Sequence, residues 1–432
     1  MPNCSLFQLT SFILLPLGTI SSLCAAPFGI RSIATNGVIS WTNATVPGVC
    51  TVESTYNLDG LWTPVRNRFA TNATGSIAIE FPSDGASYRL RTVDVSGTPE
   101  GFTNLVNSYG LLETIVGTGV GQTDGVSYWQ ESFEDGPAQW AALSRPHFAQ
   151  VDRAGNIYIA DKNSHSILRR TPDGNIQTYA GTHEGGFNGE GPTNATEMQL
   201  NLPNGEWVRE DGTLYILDTG NGRVRRVTTN GVAQTLFMAT DGSSLAGGRG
   251  LWVNETETLA YFCAGTRLRK WTPSKGVTTV ASGFTELGTL YVEGTNILVC
   301  DRGAHYAYRV TPSGTQTIIA GNGTTLGGGD GSLATETGLY GVRSIWPVPT
   351  GGYLLLTHDG CQLWYMDTAG IIHLFLNGAR GRTHSGDGGF FYTPYPVISE
   401  GRSVTMDYDG NIIVTESDWG YVRRIRFLPW VF

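Results

Sequence analysis

The sequence has few charged residues and no helical repeat pattern. Lys and Arg number 28 and Asp and Glu 37, so charged side chains make up 15% of the 432 residues. The net charge of −9 lacks the positive excess that binding to a phosphate backbone requires, which excludes nucleic acid as the expected partner. Long stretches of Ala, Leu, Glu and Lys at helical spacing are also missing, so a predominantly helical fold is excluded.

Cysteine is scarce as well. Of the six cysteines, four lie beyond residue 26: Cys50, Cys263, Cys300 and Cys361. None stands in a C-x-x-C pair, which excludes the ligand spacing of structural zinc and of covalent haem attachment. Two alternatives remain open: one disulfide, for which Cys263 and Cys300 are the candidates, or buried free thiols.

Long apolar runs are absent except near the start of the sequence. Residues 6–23 form one apolar stretch, followed by Cys24-Ala25-Ala26, and the small residues there match the pattern that signal peptidase recognises. We therefore expect a signal peptide over residues 1–26, a mature chain that begins near Ala25, and a secreted, periplasmic or cell-surface location. A buried N-terminal strand is the alternative. No second run is long enough to span a bilayer.

What the sequence does contain is glycine and aromatic residues. It has 58 glycines without a collagen-like period, together with 18 Tyr, 17 Phe and 11 Trp. Hydrophobic residues make up 40% of the chain, which suffices for a packed core, so the glycines mark turns rather than disorder. Because aromatic side chains favour strands, the composition predicts an all-β protein with many short strands.

Residues 27–97 alternate short strand-like runs with turns. The runs are GVISW, GVCTVES, SIAIEF and SYRLRTVDV. This pattern predicts a small antiparallel β-sandwich. With Trp41 on an early strand and Tyr88 on a late one, the segment resembles a fibronectin type III-like module. Residues 98–110 are expected to form a linker.

One pattern then recurs six times over residues 111–432. The copies begin at Asn156, Thr213, Thr258, Asn296, Gly352 and Asn411. Each copy has an apolar strand, a polar turn, a strand with V-R-R or its equivalent, a T-P-x-G-like turn and a last strand, and another apolar strand precedes it. Four strands per unit predict a propeller blade. The last copy lacks its final strand, which LETIVGT at residues 112–118 can supply, so we expect six blades closed by an N-terminal strand.

The second strands and turns carry a family resemblance. The segments DTGNGRVRRV from Asp218 and ADKNSHSILRR from Ala160 resemble NHL repeats. This resemblance implies a six-bladed β-propeller of the secreted bacterial type. It implies little about chemistry, because the architecture carries binding scaffolds, lactonases, lyases and sensor domains.

Alignment of the copies defines two sets of equivalent positions with expected structural roles. The aromatic register is expected to pack between neighbouring blades, and it consists of Gln150, Trp207, Trp252, Tyr291, Trp346 and Thr405. The carboxylate register is expected to brace the following turns and to pair with downstream arginines, and it consists of Asp161, Asp218, Cys263, Asp301, Thr357 and Glu416.

A third set, here called the inner ring, lies at the start of the first strands. It consists of His147, Asn204, Arg249, Gly288, Arg343 and Arg402. Three guanidinium groups and an imidazole around one channel mouth predict an anion-binding site, because Arg offers a rigid fork to carboxylate, sulfate or phosphate. The alternative is that each arginine pairs with a nearby acid such as Glu206, Glu286 or Glu400.

The residues favour a binding protein over an enzyme. Zinc-dependent lyases of this architecture need several converging histidines, and the inner ring contributes only His147. No cofactor is expected. Calcium bound by acidic inter-blade loops is an alternative, although no loop has the D-x-D-x-D-G spacing of calcium ligands. The candidate residues are Asp124, Glu131, Glu134, Asp135, Glu184, Glu190, Asp330 and Asp387.

The sequence therefore predicts an exported binding or scaffold propeller that recognises a protein or an anionic glycan through its loop face and channel mouth. The alternative is a polysaccharide lyase, or another lyase or hydrolase. In that case arginines neutralise a uronate carboxylate while His147 or a tyrosine removes the adjacent proton.

Overall fold

The computed structural model describes the backbone of residues 4–7 and residues 27–80, 86–120, 123–239, 245, 247–378, 385–391 and 397–429. The predicted cleavage site near Ala25 lies outside the described residues. The chain divides into two compact units. Unit 1 comprises Met1–Leu111, Pro349–Gly351 and Arg426–Phe432, and unit 2 comprises Leu112–Val348 and Gly352–Ile425.

Unit 1 contains two antiparallel sheets and a helix. Its strands are β1 (Cys4–Phe7), β2 (Gly29–Ile33), β3 (Val38–Thr42), β4 (Gly48–Thr55), β5 (Thr63–Ala70), β6 (Gly75–Ala78) and β7 (Ser87–Asp94). The sheet orders are β1-β7-β4-β5 and β2-β3-β6. Trp41 from one sheet and Tyr88 and Leu90 from the other belong to one buried apolar cluster. The two sheets therefore share a core.

The segment expected to be a linker contains a helix. Helix α1 spans Pro99–Asn107, and the Thr98 side chain caps it by accepting a hydrogen bond of 3.0 Å from the backbone N–H of Gly101. Proline at the first helical position suits this start because its missing N–H has no partner there in any case. Leu105 and Val106 are buried, so this segment contributes to the core of unit 1.

Unit 2 consists of repeated antiparallel sheets, of which the described residues form six. Listed from the first strand outward, sheet 1 has β9 (Pro146–Val151), β10 (Ile157–Asp161), β11 (Ser166–Arg170) and β12 (Ile176–Ala180); sheet 2 has β14 (Pro203–Val208), β15 (Leu214–Asp218), β16 (Arg223–Val227), β17 (Val232–Met238) and β13 (Thr193–Asn194); sheet 3 has β18 (Leu251–Val253), β19 (Ala260–Ala264), β20 (Arg267–Thr272) and β21 (Gly276–Ser282).

The second half of unit 2 continues this pattern. Sheet 4 has β22 (Leu287–Glu293), β23 (Asn296–Asp301), β24 (Tyr306–Val310) and β25 (Gln316–Ala320); sheet 5 has β26 (Val342–Pro347), β27 (Tyr353–Thr357), β28 (Gln362–Met366) and β29 (Ile372–Leu376); sheet 6 has β31 (Gly401–Met406), β32 (Ile412–Glu416), β33 (Tyr421–Ile425), β8 (Leu111–Val116) and β30 (Gly389–Phe390). Short 3₁₀ turns span Glu131–Phe133, Ala138–Trp140, Lys162–Ser164, Ala195–Glu197, Thr219–Asn221 and Ala334–Glu336.

The expected pairing of the early strand with the last repeat is confirmed. Leu112 lies opposite Ile425 and Val116 opposite Val422, so β8 supplies the strand that the sixth copy lacks. The first strands β9, β14, β18, β22, β26 and β31 each lie beside the next, and β31 lies beside β9. They therefore surround a common axis.

The T-P-x-G segment of sheet 1 forms a tight turn between two strands, as the sequence predicts. In sheet 1, Gly174 N–H donates to the carbonyl of Thr171 at 2.9 Å, which closes the turn between β11 and β12. Gly174 has φ of 98°, a backbone conformation that disfavours residues with a Cβ atom. Glycine at this position therefore lets this outer hairpin reverse without strain.

The disulfide alternative is wrong for Cys263 and Cys300, because both thiols are buried and free. The strand registers show why. Cys263 on β19 and Cys300 on β23 occupy equivalent positions in successive sheets. Cys263 packs in one apolar cluster and Cys300 in another. Facing sheets are about 10 Å apart, which is too far for the Cα separation of a disulfide.

No helix among the described residues is long and apolar enough to cross a membrane.

Candidate functional site

The inner-ring side chains come together at one end of the first strands. Each lies at the start of its strand or within two residues before it. The side chains are buried, with relative exposures of 1% for His147 and Arg343, 6% for Arg402 and 7% for Arg249. Burial and the nearby charges of Arg402, Arg249, Lys162 and Arg343 hold the pKa of His147 well below its usual value. The predicted convergence is therefore present.

Gly288 contributes space rather than a functional group. A Cβ atom at Gly288 would lie 2.0 Å from the carbonyl oxygen of Arg343, and one at Gly205 would lie 2.0 Å from that of Arg249. Glycine at these two positions lets neighbouring first strands approach closely. That approach brings the arginines toward the axis.

The carboxylate register holds the loops that carry the site. Asp161 accepts a hydrogen bond of 2.6 Å from Ser144 N–H, and Asp301 accepts bonds of 2.7 and 2.8 Å from Thr285 and Glu286 N–H. Glu416 accepts one of 3.1 Å from Ser399 N–H. These donors immediately precede the first strands of their sheets.

The expected pairing with downstream arginines is present at two positions of this register. Arg225 donates to Asp218 at 2.8 Å, and Arg423 donates to Glu416 at 3.2 Å. All four side chains are fully buried. In sheet 3 the equivalent position is Ala264 rather than the expected Cys263, because the turn after β19 is only two residues long.

A second group of charged residues, here called the rim, surrounds the inner ring. Its cations are Arg145, Lys162 and Arg302, its histidine is His358, and its carboxylates are Asp124, Glu286, Asp359 and Asp418. Most of these residues were missed from the sequence. Lys162, Arg302 and His358 each directly follow a second strand, which runs antiparallel to the first and ends at the same mouth. That position in the repeat was the available signal.

Two rim carboxylates make most of the ion pairs to the inner ring. Glu286 lies 3.1 Å from Arg343, 3.5 Å from Arg249 and 2.8 Å from Arg302. Asp418 lies 3.0 Å from Arg402 and 2.9 Å from Arg145. Burial opposes ionisation of these two acids, but the surrounding arginines lower the pKa of both, so they are charged at neutral pH.

The pairing alternative is therefore present, but not with all the expected partners. Glu286 pairs as anticipated, whereas Arg402 pairs with Asp418 instead of Glu400. Glu206 makes no ion pair among the described residues. It is fully buried, and neither carboxylate oxygen has a hydrogen bond of normal geometry there, although Gln150 N–H lies nearby. Burial raises the pKa of Glu206 well above its usual value, so the group is neutral.

Ion pairing leaves donors of the inner ring unused. Within the described residues, Nε of Arg249, Nε of Arg402, and both Nε and Nη1 of Arg343 are buried and have no hydrogen-bond partner. Burial and mutual repulsion lower the pKa of all three arginines, that of Arg249 to about 9. Inner ring and rim together hold six cations and four carboxylates. Within these two sets, cationic side chains therefore outnumber carboxylates by two.

His147 is held in one orientation by Asn204. Nδ1 of His147 contacts Oδ1 of Asn204, and Nδ2 of Asn204 donates to the carbonyl of Gly248 at 2.7 Å. Nε2 of His147 is buried and has no partner among the described residues. His358 lies at the rim, where burial and the charges of Arg343, Arg402 and Arg302 lower its pKa to about 2. Both imidazoles are thus neutral at physiological pH.

The aromatic register lies three positions further along the first strands, at the other end of the axis. The expected packing between neighbouring sheets is present, since the rings of Trp207 in sheet 2 and Trp252 in sheet 3 lie 6.5 Å apart, but contacts also extend beyond neighbours. Trp207 of sheet 2 contacts Tyr291 of sheet 4, with ring centroids 6.5 Å apart, and Tyr291 contacts Trp346 of sheet 5 at 5.0 Å. Because sheets 2 and 4 are not neighbours, these rings face the axis.

Three of the loop carboxylates considered for calcium form ion pairs with arginines. Glu190 pairs with Arg223 at 2.6 Å, Asp387 with Arg423 at 2.8 Å, and Asp124 with Arg145 at 2.7 Å. In the part of the chain that the structure describes, no group of three or more His, Cys, Asp or Glu side chains is arranged to hold a metal ion.

Comparison of the structure with solved proteins shows its fold. A protein of unknown function from Bacteroides thetaiotaomicron matches 93% of this chain and 98% of its own, with 12% identity and a TM-score of 0.58. Unit 2 is a β-propeller. An auxiliary nutrient binding protein from Bacteroides ovatus matches 90% of this chain and 93% of its own, with 12% identity and a TM-score of 0.54.

A further auxiliary nutrient binding protein, from Bacteroides thetaiotaomicron, matches 93% of this chain and 98% of its own, with 12% identity and a TM-score of 0.52. No protein-family model and no curated protein sequence matches this chain. At 12% identity the similarity shows the fold alone. The chain is an all-β protein that contains a β-propeller.

Proposed function

We propose that this protein is an exported binding protein. In this proposal unit 2 is a six-bladed, NHL-like propeller, residues 27–97 form a fibronectin type III-like sandwich, and the basic mouth formed by the inner ring and rim binds an anionic group of a glycan or a protein. One observation carries the proposal: three buried arginines converge with unused N–H donors.

The energetics of the mouth support anion binding. A buried guanidinium with unsatisfied donors is unfavourable, and three of them repel one another. The rim carboxylates offset only part of this charge, since Glu286 serves three arginines. A bound carboxylate or sulfate would accept the unused donors and balance the excess charge. The chain would therefore gain stability on binding an anion.

The rim carboxylates oppose the binding of a ligand anion. Glu286 and Asp418 are 34% and 20% exposed, whereas the inner arginines are nearly buried. An anion must pass these acids and compete with them for the same guanidinium groups. The proposal therefore predicts binding that depends on salt and that strengthens when a rim carboxylate is neutralised.

The two Bacteroides proteins of similar fold are named as nutrient binding proteins. A binding role for this chain is compatible with those names. The test is calorimetric titration with oligogalacturonate, a sulfated oligosaccharide and a neutral oligosaccharide. We expect the acidic ligands to bind and Arg343→Met to weaken them at least about tenfold, since a charged hydrogen bond contributes about 1.5–3 kcal/mol.

Arg153→Met is the matched control, because it removes the same charge from an exposed residue in the turn after β9, at the other end of that strand. Equal binding of neutral and acidic ligands, or equal losses in the two variants, would contradict the proposal.

A lyase remains the second candidate, favoured by the unpartnered Nε2 of the neutral His147. Such a nitrogen can take a proton from carbon next to a carboxylate that the arginines neutralise. Release of unsaturated products from oligogalacturonate, lost in His147→Ala, would establish it. Binding without product formation supports the binding protein instead.

A further inference from the structure

We propose that the anion bound at the basic mouth carries a hydroxyl group beside its charged group, as an acidic sugar does, and that Nε2 of His147 accepts the hydrogen bond from this hydroxyl. The inference rests on the proposed function. It narrows the ligand from any anion to a hydroxylated one, and it assigns the selectivity to one atom.

The hydrogen bonds of Asn204 decide which imidazole nitrogen carries the proton. Asn204 Nδ2 donates to the carbonyl of Gly248 at 2.7 Å, which orients Oδ1 toward His147. A carbonyl oxygen can only accept. Nδ1 of His147 must therefore be the donor, and in a neutral ring Nε2 then carries a lone pair.

The surroundings of His147 keep the ring neutral. The side chain is 1% exposed, and the charges of Arg402, Arg249, Lys162 and Arg343 all act on it. A positive imidazole would add a further charge to a cluster that already has too many cations. Nε2 is thus a buried acceptor without a partner among the described residues.

The two kinds of unused group make different demands on a ligand. Guanidinium groups of Arg249, Arg343 and Arg402 can only donate, so they require ligand acceptors. Nε2 of His147 can only accept, so it requires a ligand donor. Acetate and sulfate offer acceptors alone and leave Nε2 unsatisfied. A uronic acid or a sulfated sugar presents an anion and hydroxyl donors on one ring, which satisfies both demands.

Paired ligands test the inference on the unmodified full-length chain. Glycolate and acetate differ by one hydroxyl group, and NMR titration gives their dissociation constants. We expect glycolate to bind about tenfold more tightly, the effect of one hydrogen bond to an otherwise unsatisfied group. We also expect the ¹⁵N resonance of Nε2 to shift with glycolate and not with acetate. Galacturonate and galactose 6-sulfate then distinguish the two sources of acidic sugar, with galactose as the neutral control.

His147→Phe keeps a planar aromatic ring and removes the acceptor. We expect the ratio of glycolate affinity to acetate affinity to fall to about one in this variant. If His147→Phe does not fold, two measurements on the unmodified chain still test the proposal: the ratio of glycolate to acetate affinity and the shift of the Nε2 resonance.

Three outcomes would overturn the assignment or its basis. Equal binding of glycolate and acetate removes this inference and leaves the anion site. Preference for glycolate that persists in His147→Phe places the hydroxyl contact elsewhere and removes the role of Nε2. Failure of sulfate, acetate and glycolate alike to bind overturns the proposed function itself.

Discussion

Neutralising Glu286 is the perturbation that separates an anion site from a purely structural ion network. This carboxylate lies 3.1 Å from Arg343, 3.5 Å from Arg249 and 2.8 Å from Arg302. In the binding account, Glu286 competes with the ligand for these arginines and repels it. Glu286→Gln should therefore strengthen anion binding, whereas a network that exists only for stability would bind no anion in either form.

Coulomb's law sets the size of this effect. A ligand anion held by Arg343 would lie roughly 7 Å from the Glu286 carboxylate. The repulsion at that distance is about 0.6 kcal/mol in water and about 2.4 kcal/mol at an effective dielectric constant near 20. Because Glu286 is one-third exposed, we take an intermediate value of about 1.4 kcal/mol, which corresponds to about tenfold tighter binding.

Calorimetric titration with oligogalacturonate at low and moderate salt measures the change. Glu255→Gln is the control, because it removes the same charge from an exposed residue of the hairpin after β18. Glu286→Gln should also lower the unfolding temperature of the free protein, since the arginines lose their shared partner. Unchanged or weaker anion binding in Glu286→Gln would refute the reasoning.

Further predictions concern the residues that shape the mouth. Burial raises the pKa of Asp161 to about 7 from 3.8, so the folded state binds this proton more tightly than the unfolded state. This contribution to stability is complete below pH 3.8 and is lost as pH rises toward 7; denaturant unfolding at several pH values should show that loss, and Asp161→Asn should remove it. Gly288→Ala places a Cβ 2.0 Å from the Arg343 carbonyl, so we expect a loss of a few kcal/mol in unfolding free energy and weaker anion binding. Gly294→Ala meets no atom within 4 Å and is disfavoured only by its φ of 60°, so it should cost only about 1 kcal/mol. Arg225→Met leaves the buried Asp218 without its cation and should destabilise the chain by about 3–5 kcal/mol in thermal or chemical unfolding; a change below about 1 kcal/mol would contradict the bracing role.

The repeats made much of unit 2 predictable. Strand boundaries, the added strand β8 and the inner-ring positions all follow from one pattern in which apolar runs and glycine turns recur in the same order. The repeat pattern identifies which residues occupy equivalent positions, and no interatomic distances are needed for this step. Equivalent positions on strands that surround one axis must converge, which is why His147 and the three arginines could be chosen together.

Features that depend on turns were less predictable. The two-residue turn between β19 and β20 shifts the alignment by one, which placed Cys263 where Ala264 lies. Lys162, Arg302 and His358 were passed over because they lie in irregular turns, whose side-chain directions do not follow strand alternation. Of the two carboxylates that pair with the inner arginines, Glu286 was anticipated from the sequence. Asp418 was not, since it reaches Arg402 from a turn whereas Glu400 is nearer in sequence.

Anomalous diffraction from a crystal soaked with selenate tests the central claim most directly, because it locates an anion without assuming its biological identity. The account predicts a selenium peak within hydrogen-bonding distance of Nε of Arg343 and of at least one of Arg249 and Arg402, and its loss in Arg343→Met crystals. Peaks confined to other surfaces, with no anion at the three arginines, would contradict it.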